Sequence, residues 1–309
     1  MQVFSATLFK MIELFLFMAV GFFFTRKKLL PENSAGILSK LETTIFVPCL
    51  VFRVFHEYCT VENLQAKWIY ILYGFGITVV SLVIGTFLAK LFAKGEYLRK
   101  IYTYSFAVSN FSFMGNAVVL GVFGSEILFD YMMLTLPLNL YVYSIGSASL
   151  IPNNSGKLSL KSFVNPIFIS LLVGAVFGFA RIPLPSFVSN AVTSAGNCMA
   201  PVAMLLTGLV VGKYNLKTLA SDKKVYFASG IRLIALPTLF MLVLMLLRTS
   251  NDVIRVALCA TAMPLGLNTV VFPAAYGGDT TPGASMALIS HLISVITIPI
   301  MFTIFLQGA

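Results

Sequence analysis

Met263-Pro264-Leu265-Gly266-Leu267-Asn268-Thr269-Val270-Val271-Phe272-Pro273-Ala274-Ala275-Tyr276-Gly277-Gly278-Asp279 is apolar enough to lie in a bilayer, yet it carries residues that damage a regular helix. Pro264 removes a backbone donor and its ring clashes with the preceding turn. Gly266 lets the chain leave helical geometry at little steric cost. A second stretch echoes the first: Gly115-Asn116-Ala117-Val118-Val119-Leu120, followed by Phe123-Gly124-Ser125-Glu126. Asn-x-Val-Val recurs from Asn116 to Asn268 (268 − 116 = 152), and aromatic-Gly-small-acid recurs from Phe123 to Tyr276 (276 − 123 = 153). Interrupted apolar segments at matching positions of two halves point to the binding site of a secondary transporter.

Working outward, the composition demands a membrane. Of 309 residues, 58% are hydrophobic and only 10% charged, with a mean hydropathy of +0.93. A soluble domain carries roughly 25% charged residues, so this chain could not cover a water-facing surface. Long apolar runs in lipid settle on helices, because each unpaired backbone group there costs several kcal/mol. The short alternating segments of a β-barrel are missing. Ten spans can be marked, at 4–24, 35–56, 68–90, 101–122, 127–149, 164–181, 186–211, 225–247, 253–274 and 281–306, with short connections throughout. The expected fold class is an all-α membrane protein, one compact unit with a first half at 1–150 and a second at 151–309.

Charge gives an orientation. The loops after odd-numbered spans carry Arg26, Lys27, Lys28, Lys90, Lys94, Arg99, Lys100, Lys157, Lys161, Lys213, Lys217, Lys223 and Lys224, against Arg53, Lys67, Arg181, Arg248 and Arg255 after even-numbered spans. Basic residues gather in cytoplasmic loops, so both termini are expected outside the cytoplasm of a cell (inner or plasma) membrane. The same bias accounts for the net charge of +10 without a nucleic-acid partner; the expected partner is the lipid bilayer.

An odd number of spans per half makes the second copy of a repeat enter the membrane upside down. Prolines support such a repeat: Pro48 matches Pro201 (201 − 48 = 153), and Thr135-Leu136-Pro137-Leu138 matches Thr297-Ile298-Pro299-Ile300 (299 − 137 = 162). In the fourth span Asn110, Ser112, Gly115 and Asn116 take the part that Pro264 and Gly266 take in the ninth. Each break leaves a half-helix whose first amides act as a partial positive charge and hold a carboxylate. Asn110, Asn116 and Asn268 would add side-chain hydrogen bonds.

Charges inside spans need an account. Lys10 and Glu13 share one helical face and can pair. Lys40 and Glu42 near the inner edge of the second span are expected to pair or snorkel. Arg232, beside Gly230 and before Pro237, either holds a carboxylate or braces the cavity wall. His56 and His291 are read as packing residues rather than proton shuttles. Cys49, Cys198 and Cys259 are read as small buried apolar residues, and the four cysteines show no metal-ligand spacing. No catalytic or phosphate-binding motif is present, so neither an enzyme nor a bound metal or cofactor is expected.

These residues resemble the auxin efflux carrier family, which includes plant PIN-type carriers and bacterial permeases for malonate or malate. The resemblance spans nearly the whole chain. It rests on Gly21 with Arg26-Lys27-Lys28-Leu29-Leu30, Phe46-Val47-Pro48, Asn110-Phe111-Ser112-Phe113-Met114-Gly115, Asn165-Pro166, and Ala200-Pro201 through Gly208. Ile231-Arg232-Leu233 to Pro237, Met263-Pro264 to Asp279, and Ser290 through Thr297-Ile298-Pro299 complete it. It implies ten helices in an inverted five-plus-five repeat like that of the bile-acid symporter and NhaA group, with broken helices four and nine crossing. A scaffold and a mobile transport domain would move past each other in an elevator-type cycle. The implied substrate site takes in Asn110, Gly115, Asn116, Pro264, Gly266 and Asn268 at the crossing, Asn139 and Tyr141 from the fifth span, and Arg232 as a supporting charge. One departure stands out: Ala117 follows Asn116 where the family often has proline, which leaves the extent of the fourth-span break open.

The expected function is a secondary carrier of a small organic anion, a carboxylate such as malonate, malate or an auxin-like acid. Proton or sodium coupling and a homodimer stay open at this point. The alternatives are a sodium-coupled carrier of the bile-acid type and a membrane sensor that binds a ligand without moving it.

Overall fold

The computed structural model describes residues 2–151, 165–275 and 279–306; Tyr276-Gly277-Gly278 of the second echo, and Lys157 and Lys161, lie outside them. Among the described residues the elements are helices, joined at one point by an isolated antiparallel bridge. In chain order the main ones are α1 (Gln2–Arg26), α2 (Ser34–Tyr58), α3 (Ile69–Phe92), α4 (Glu96–Ala107) and α5 (Phe111–Ser149). The second part has α6 (Pro166–Phe179), α7 (Ser186–Gly212), α8 (Lys223–Leu246), α9 (Asn251–Thr261), α10 (Asn268–Ala275) and α11 (Thr281–Leu306).

Among the described residues 7 helices, α1, α2, α3, α5, α7, α8 and α11, are long and apolar enough to cross a membrane. The expected spans at 101–122, 164–181 and 253–274 take a different form. The first and last are cut into pieces, and the 14 residues of α6 reach only about 21 Å of the roughly 30 Å hydrocarbon core. The 39 residues of α5 would make a rod of roughly 58 Å, nearly twice that thickness. It is not straight: Gly124 takes φ 85°, ψ −178°, a left-handed backbone open to glycine and strained for other residues.

Local sequence explains the helix ends and bends. Asn165 closes the start of α6, accepting from the Ile167 and Phe168 amides at 3.0 Å, with Pro166 at the first helical position, where its missing N–H costs nothing. Asp279 accepts from the Thr281 amide at 2.9 Å at the start of α11. Within α2 and α8, wide π turns at Glu42–Phe46 and Ile231–Ala235 contain the carbonyls of Thr44 and Leu233. Those are the groups that the rings of Pro48 and Pro237 would strike in a regular helix.

The helices sort into two packing groups. In one, α1 lies against α7, and α2 against α6 and α7; in the other, α3 packs on α4 and α5, α9 on α5 and α8, and α11 on α8, α9 and α10; α1 also packs on α11 and, less, on α5, where the two groups meet. The α1–α7 contact is close because it is made by glycines. A Cβ on Gly21 would stand 2.2 Å from the Leu205 carbonyl oxygen, and one on Gly208 2.0 Å from that of Met18. Small residues allow such approach where lipid gives helices no hydrophobic reason to associate. Large apolar side chains such as Phe9, Leu91 and Leu246 face outward, as lipid contact requires.

Several charge and cysteine expectations change. Lys10 and Glu13 pair at 2.8 Å as their spacing suggested. Glu42 does not pair with Lys40: it is fully buried, and neither carboxyl oxygen has a hydrogen-bond partner among the described residues. Cys259 and Cys59 are buried, but Cys49 is half-buried and Cys198 exposed, because Cys198 sits at the bend between the two parts of α7.

Candidate functional site

Two non-helical stretches meet inside the second packing group. After α4 ends at Ala107, Val108 is extended (φ −109°, ψ 116°). Ser109 then forms the antiparallel bridge with Leu265. The Asn110 amide donates to the Pro264 carbonyl at 2.7 Å. Two hydroxyls complete the junction: Ser109 Oγ donates to the Ala260 carbonyl at 2.8 Å, and the Leu265 amide donates to Ser290 Oγ at 3.1 Å. Backbone groups released from a helix at membrane depth survive only with protein partners, and here each break supplies partners to the other.

The fourth-span break therefore needs no proline. It also lies earlier than expected. Gly115 and Asn116 are helical (φ −61° and −57°), in and just after a π turn at Phe111–Gly115 that opens α5. Gly115 matters for a different reason: the Tyr131 hydroxyl, which donates to the Phe111 carbonyl at 2.8 Å, occupies the space where a Cβ would stand, 2.0 Å away. Gly266 lies in the ninth-span break without a positive φ and in only ordinary contact with Ser109.

The side chains divide into those that brace the crossing and those that face space. Asn110 braces. Its Oδ1 accepts from the Met114 amide at 3.4 Å, and its Nδ2 lies 3.1 Å from His291 Nε2. His291 Nδ1 is 2.7 Å from the Ala287 carbonyl, which can only accept. Nδ1 therefore carries the proton, and Nε2 accepts from Asn110. Asn268 donates to the Tyr104 hydroxyl at 2.6 Å, and the Tyr104 ring lies 6.4 Å from that of Tyr141. His56 packs on Phe52 and meets the Ile182 carbonyl at 2.9 Å, away from the crossing.

Asn116 and Asn139 face a narrow cavity of about 30 Å³. It lies between the two packing groups, with Val51 and Phe55 of α2 and Phe168 of α6 on one wall and Phe111, Ser112, Thr135 and the two asparagines of α5 on the other. Arg232 borders a second, smaller cavity of about 20 Å³ with Thr78, Ser81, Ser109 and Thr135. It is buried, its Nη1 donates to the Thr261 carbonyl at 2.6 Å, and its Nε has no partner among the described residues. The structure thus gathers Asn110, Pro264, Gly266 and Asn268 at the crossing and Asn116 and Asn139 at the cavity beside it. Tyr141 is linked through Tyr104, and Arg232 stands at the carbonyl end of α9, beside Ser109 of the crossing. Tyr104, Tyr131, Ser109 and Ser290 escape a reading of the sequence because no local spacing marks a lone hydroxyl whose partner is far along the chain.

Two interrupted helices crossing in an otherwise helical, lipid-facing bundle define a multi-pass membrane protein with a central polar junction. The family described as membrane transport protein matches residues 6–157 and 151–302, and the chain belongs to this auxin efflux carrier family. It is similar to the Uncharacterized transporter YfdV of Escherichia coli strain K12, at 19% identity covering 94% of this chain and 95% of that one. Proteins of the same name from Escherichia coli O157:H7 and Shigella flexneri match to the same extent.

Proposed function

We propose that this membrane transport protein moves a small organic anion by alternating access, with its carboxylate held beside the crossing. The observation that carries the reading is the cavity between the two packing groups, mostly apolar but with Ser112, Asn116, Thr135 and Asn139 on its α5 wall, at the first turn of α5. A helix start presents amides and a partial positive charge, and Ser112, Asn116 and Asn139 add donors where α5 meets α2 and α6. The substrate would be a mono- or dicarboxylate. The proposed cycle is of the elevator type: α1, α2, α6 and α7 act as scaffold while the group holding the crossing slides past them. The proposed architecture is the inverted repeat of 1–150 and 151–309, ten helices in all, in the cell membrane with both termini outside.

Arg232 takes a supporting part in this reading. The carbonyl ends of α4 and α9 carry partial negative charge, and a cation there is favourable. Its guanidinium balances those ends, leaving the amide ends for the substrate.

The test is flux of labelled dicarboxylates in proteoliposomes. Asn116→Ala removes a hydrogen bond to a charged group, worth about 1.5–3 kcal/mol, and should lower apparent affinity by roughly 10- to 100-fold with folding intact. Asn268→Ala should lower flux through loss of the Tyr104 contact. Full transport by both variants would remove the crossing from the substrate path.

A further inference from the structure

Three membrane-length helices end around one groove of about 550 Å³: α1 stops at Arg26, α2 starts at Ser34 and α7 stops at Gly212. The lining of the groove belongs wholly to the α1–α2–α7 group and includes none of the crossing residues. Its walls carry three cations, Arg26, Lys28 and Lys213, with Glu32 among them and Leu30 and Leu209 on the apolar side. Arg26 donates to the Tyr214 carbonyl and Lys213 Nζ to the Glu32 carbonyl at 3.0 Å. Both acceptors are neutral, and none of the ion pairs among the described residues involves any of the three. Glu32 offsets one of them at most, which leaves a net positive charge within one concave surface. The start of α2 adds to it, since Asn33 makes no side-chain cap and Ser34 and Ala35 line the groove. An uncapped helix start suits phosphate oxygens.

The surroundings decide what carries the phosphate. Leu29 and Leu30 follow the cations and are 59% and 39% exposed, turned outward where Lys28 adopts a left-handed backbone (φ 52°). Exposed leucines beside a net positive charge, at the ends of three spans, match the boundary between headgroups and acyl chains. A free phosphate would leave those leucines against water. Basic pockets between spans are suited to anionic headgroups, and the volume falls within the range of about 300–1,000 Å³ typical of small-ligand sites.

We propose that this groove binds the phosphate of an anionic lipid headgroup between Arg26, Lys28 and Lys213, with the lipid's first methylenes along Leu30 and Leu209. The site does not rest on the transport reading and stands even if that reading fails.

The experiment is native mass spectrometry of the full chain released from micelles containing equal phosphatidylglycerol and phosphatidylcholine. The expected result is retention of phosphatidylglycerol in excess. Lys28→Gln and Lys213→Gln should each weaken it roughly fivefold, the effect of about one cation at a membrane surface. Lys28→Arg should behave as wild type, and so should Lys10→Gln, which removes a cation outside the groove. If Lys213→Gln does not fold, the wild type and the Lys28 variants still decide. Equal retention of the two lipids would overturn the proposal. So would an unchanged preference in the double variant, or displacement of the lipid by millimolar inorganic phosphate, which would assign the groove to a soluble anion.

Discussion

At the scale of single residues, the crossing is held by contacts that tolerate little change. Adding a Cβ at Gly115 sets it 2.0 Å from the Tyr131 hydroxyl, so either that hydroxyl leaves the Phe111 carbonyl or the π turn shifts. Gly115→Ala should cost about 1–3 kcal/mol, read as a lower thermal midpoint. Tyr131→Phe removes the colliding oxygen, so the double variant should lose less than the two single losses combined; strict additivity would show that the residues do not meet. Arg232→Met deletes the cation that caps the Thr261 carbonyl and should lower stability by about 2–3 kcal/mol. Arg232→Lys, which keeps the charge, should lose less, and equal losses would argue for packing alone. The sequence marked Gly115 and Arg232 as worth attention but misjudged the first. A glycine beside an asparagine reads as a helix break, whereas the reason for this one is a tyrosine a full turn reversal away. Asn110 was legible as a polar residue at a critical place. Its commitment to Met114 and His291 was not, because His291 lies 181 residues distant.

Among the elements, the break after α9 was legible because Pro264 makes it. The break after α4 was placed several residues late, because nothing in Val108-Ser109-Asn110 forbids a helix; the bonds to Pro264 and Leu265 hold it open. Gly124 is the converse case, a glycine quoted only for its place in a repeat, whose left-handed backbone divides α5. Outside the spans, one short helix, Val61–Lys67, fixes where α3 begins, and its last residue pairs with Asp130 of α5 at 2.8 Å and with Glu126 at 3.4 Å. Burial alone would pull the Lys67 ammonium down, but Asp130, then Glu126, outweigh it and hold it above the usual lysine value. A raised lysine stabilises the fold fully below its unfolded value of about 10.4 and loses that contribution as pH rises through the folded one. Lys67→Met should therefore cost about 3–5 kcal/mol by stranding the buried Asp130. As pH rises from 6 to 9 the gap from wild type in thermal midpoint should not close. A gap that closes within that range would mean the pair contributes through something other than the ammonium charge.

For the whole molecule, the two packing groups and the cavity between them make the proposed cycle mechanically testable. If transport requires the crossing to slide along α2 and α6, tying the groups together must stop it. Val51 of α2 and Asn139 of α5 line opposite walls of the same cavity, and neither belongs to the α1–α7 contact that holds the proposed scaffold together. A Val51→Cys, Asn139→Cys pair, built after the four free cysteines are replaced by serine or alanine, can be bridged through disulfides by a bifunctional methanethiosulfonate reagent. Two controls separate a lock from a blocked or damaged site. Each single cysteine treated with the same reagent reports on local bulk, and a pair within one group, Leu205→Cys with Met18→Cys across the close α1–α7 contact, reports on cross-linking as such. The expected result is flux abolished in the bridged Val51–Asn139 pair, restored on reduction to the level of the same pair before bridging, which Asn139→Cys itself lowers, and retained in the bridged α1–α7 pair. Flux that persists through a complete α2–α5 bridge would rule out relative sliding of the groups and leave local opening of the crossing as the route. Flux lost equally in both bridged pairs would place the movement between α1 and α7, against the division of labour drawn from the packing.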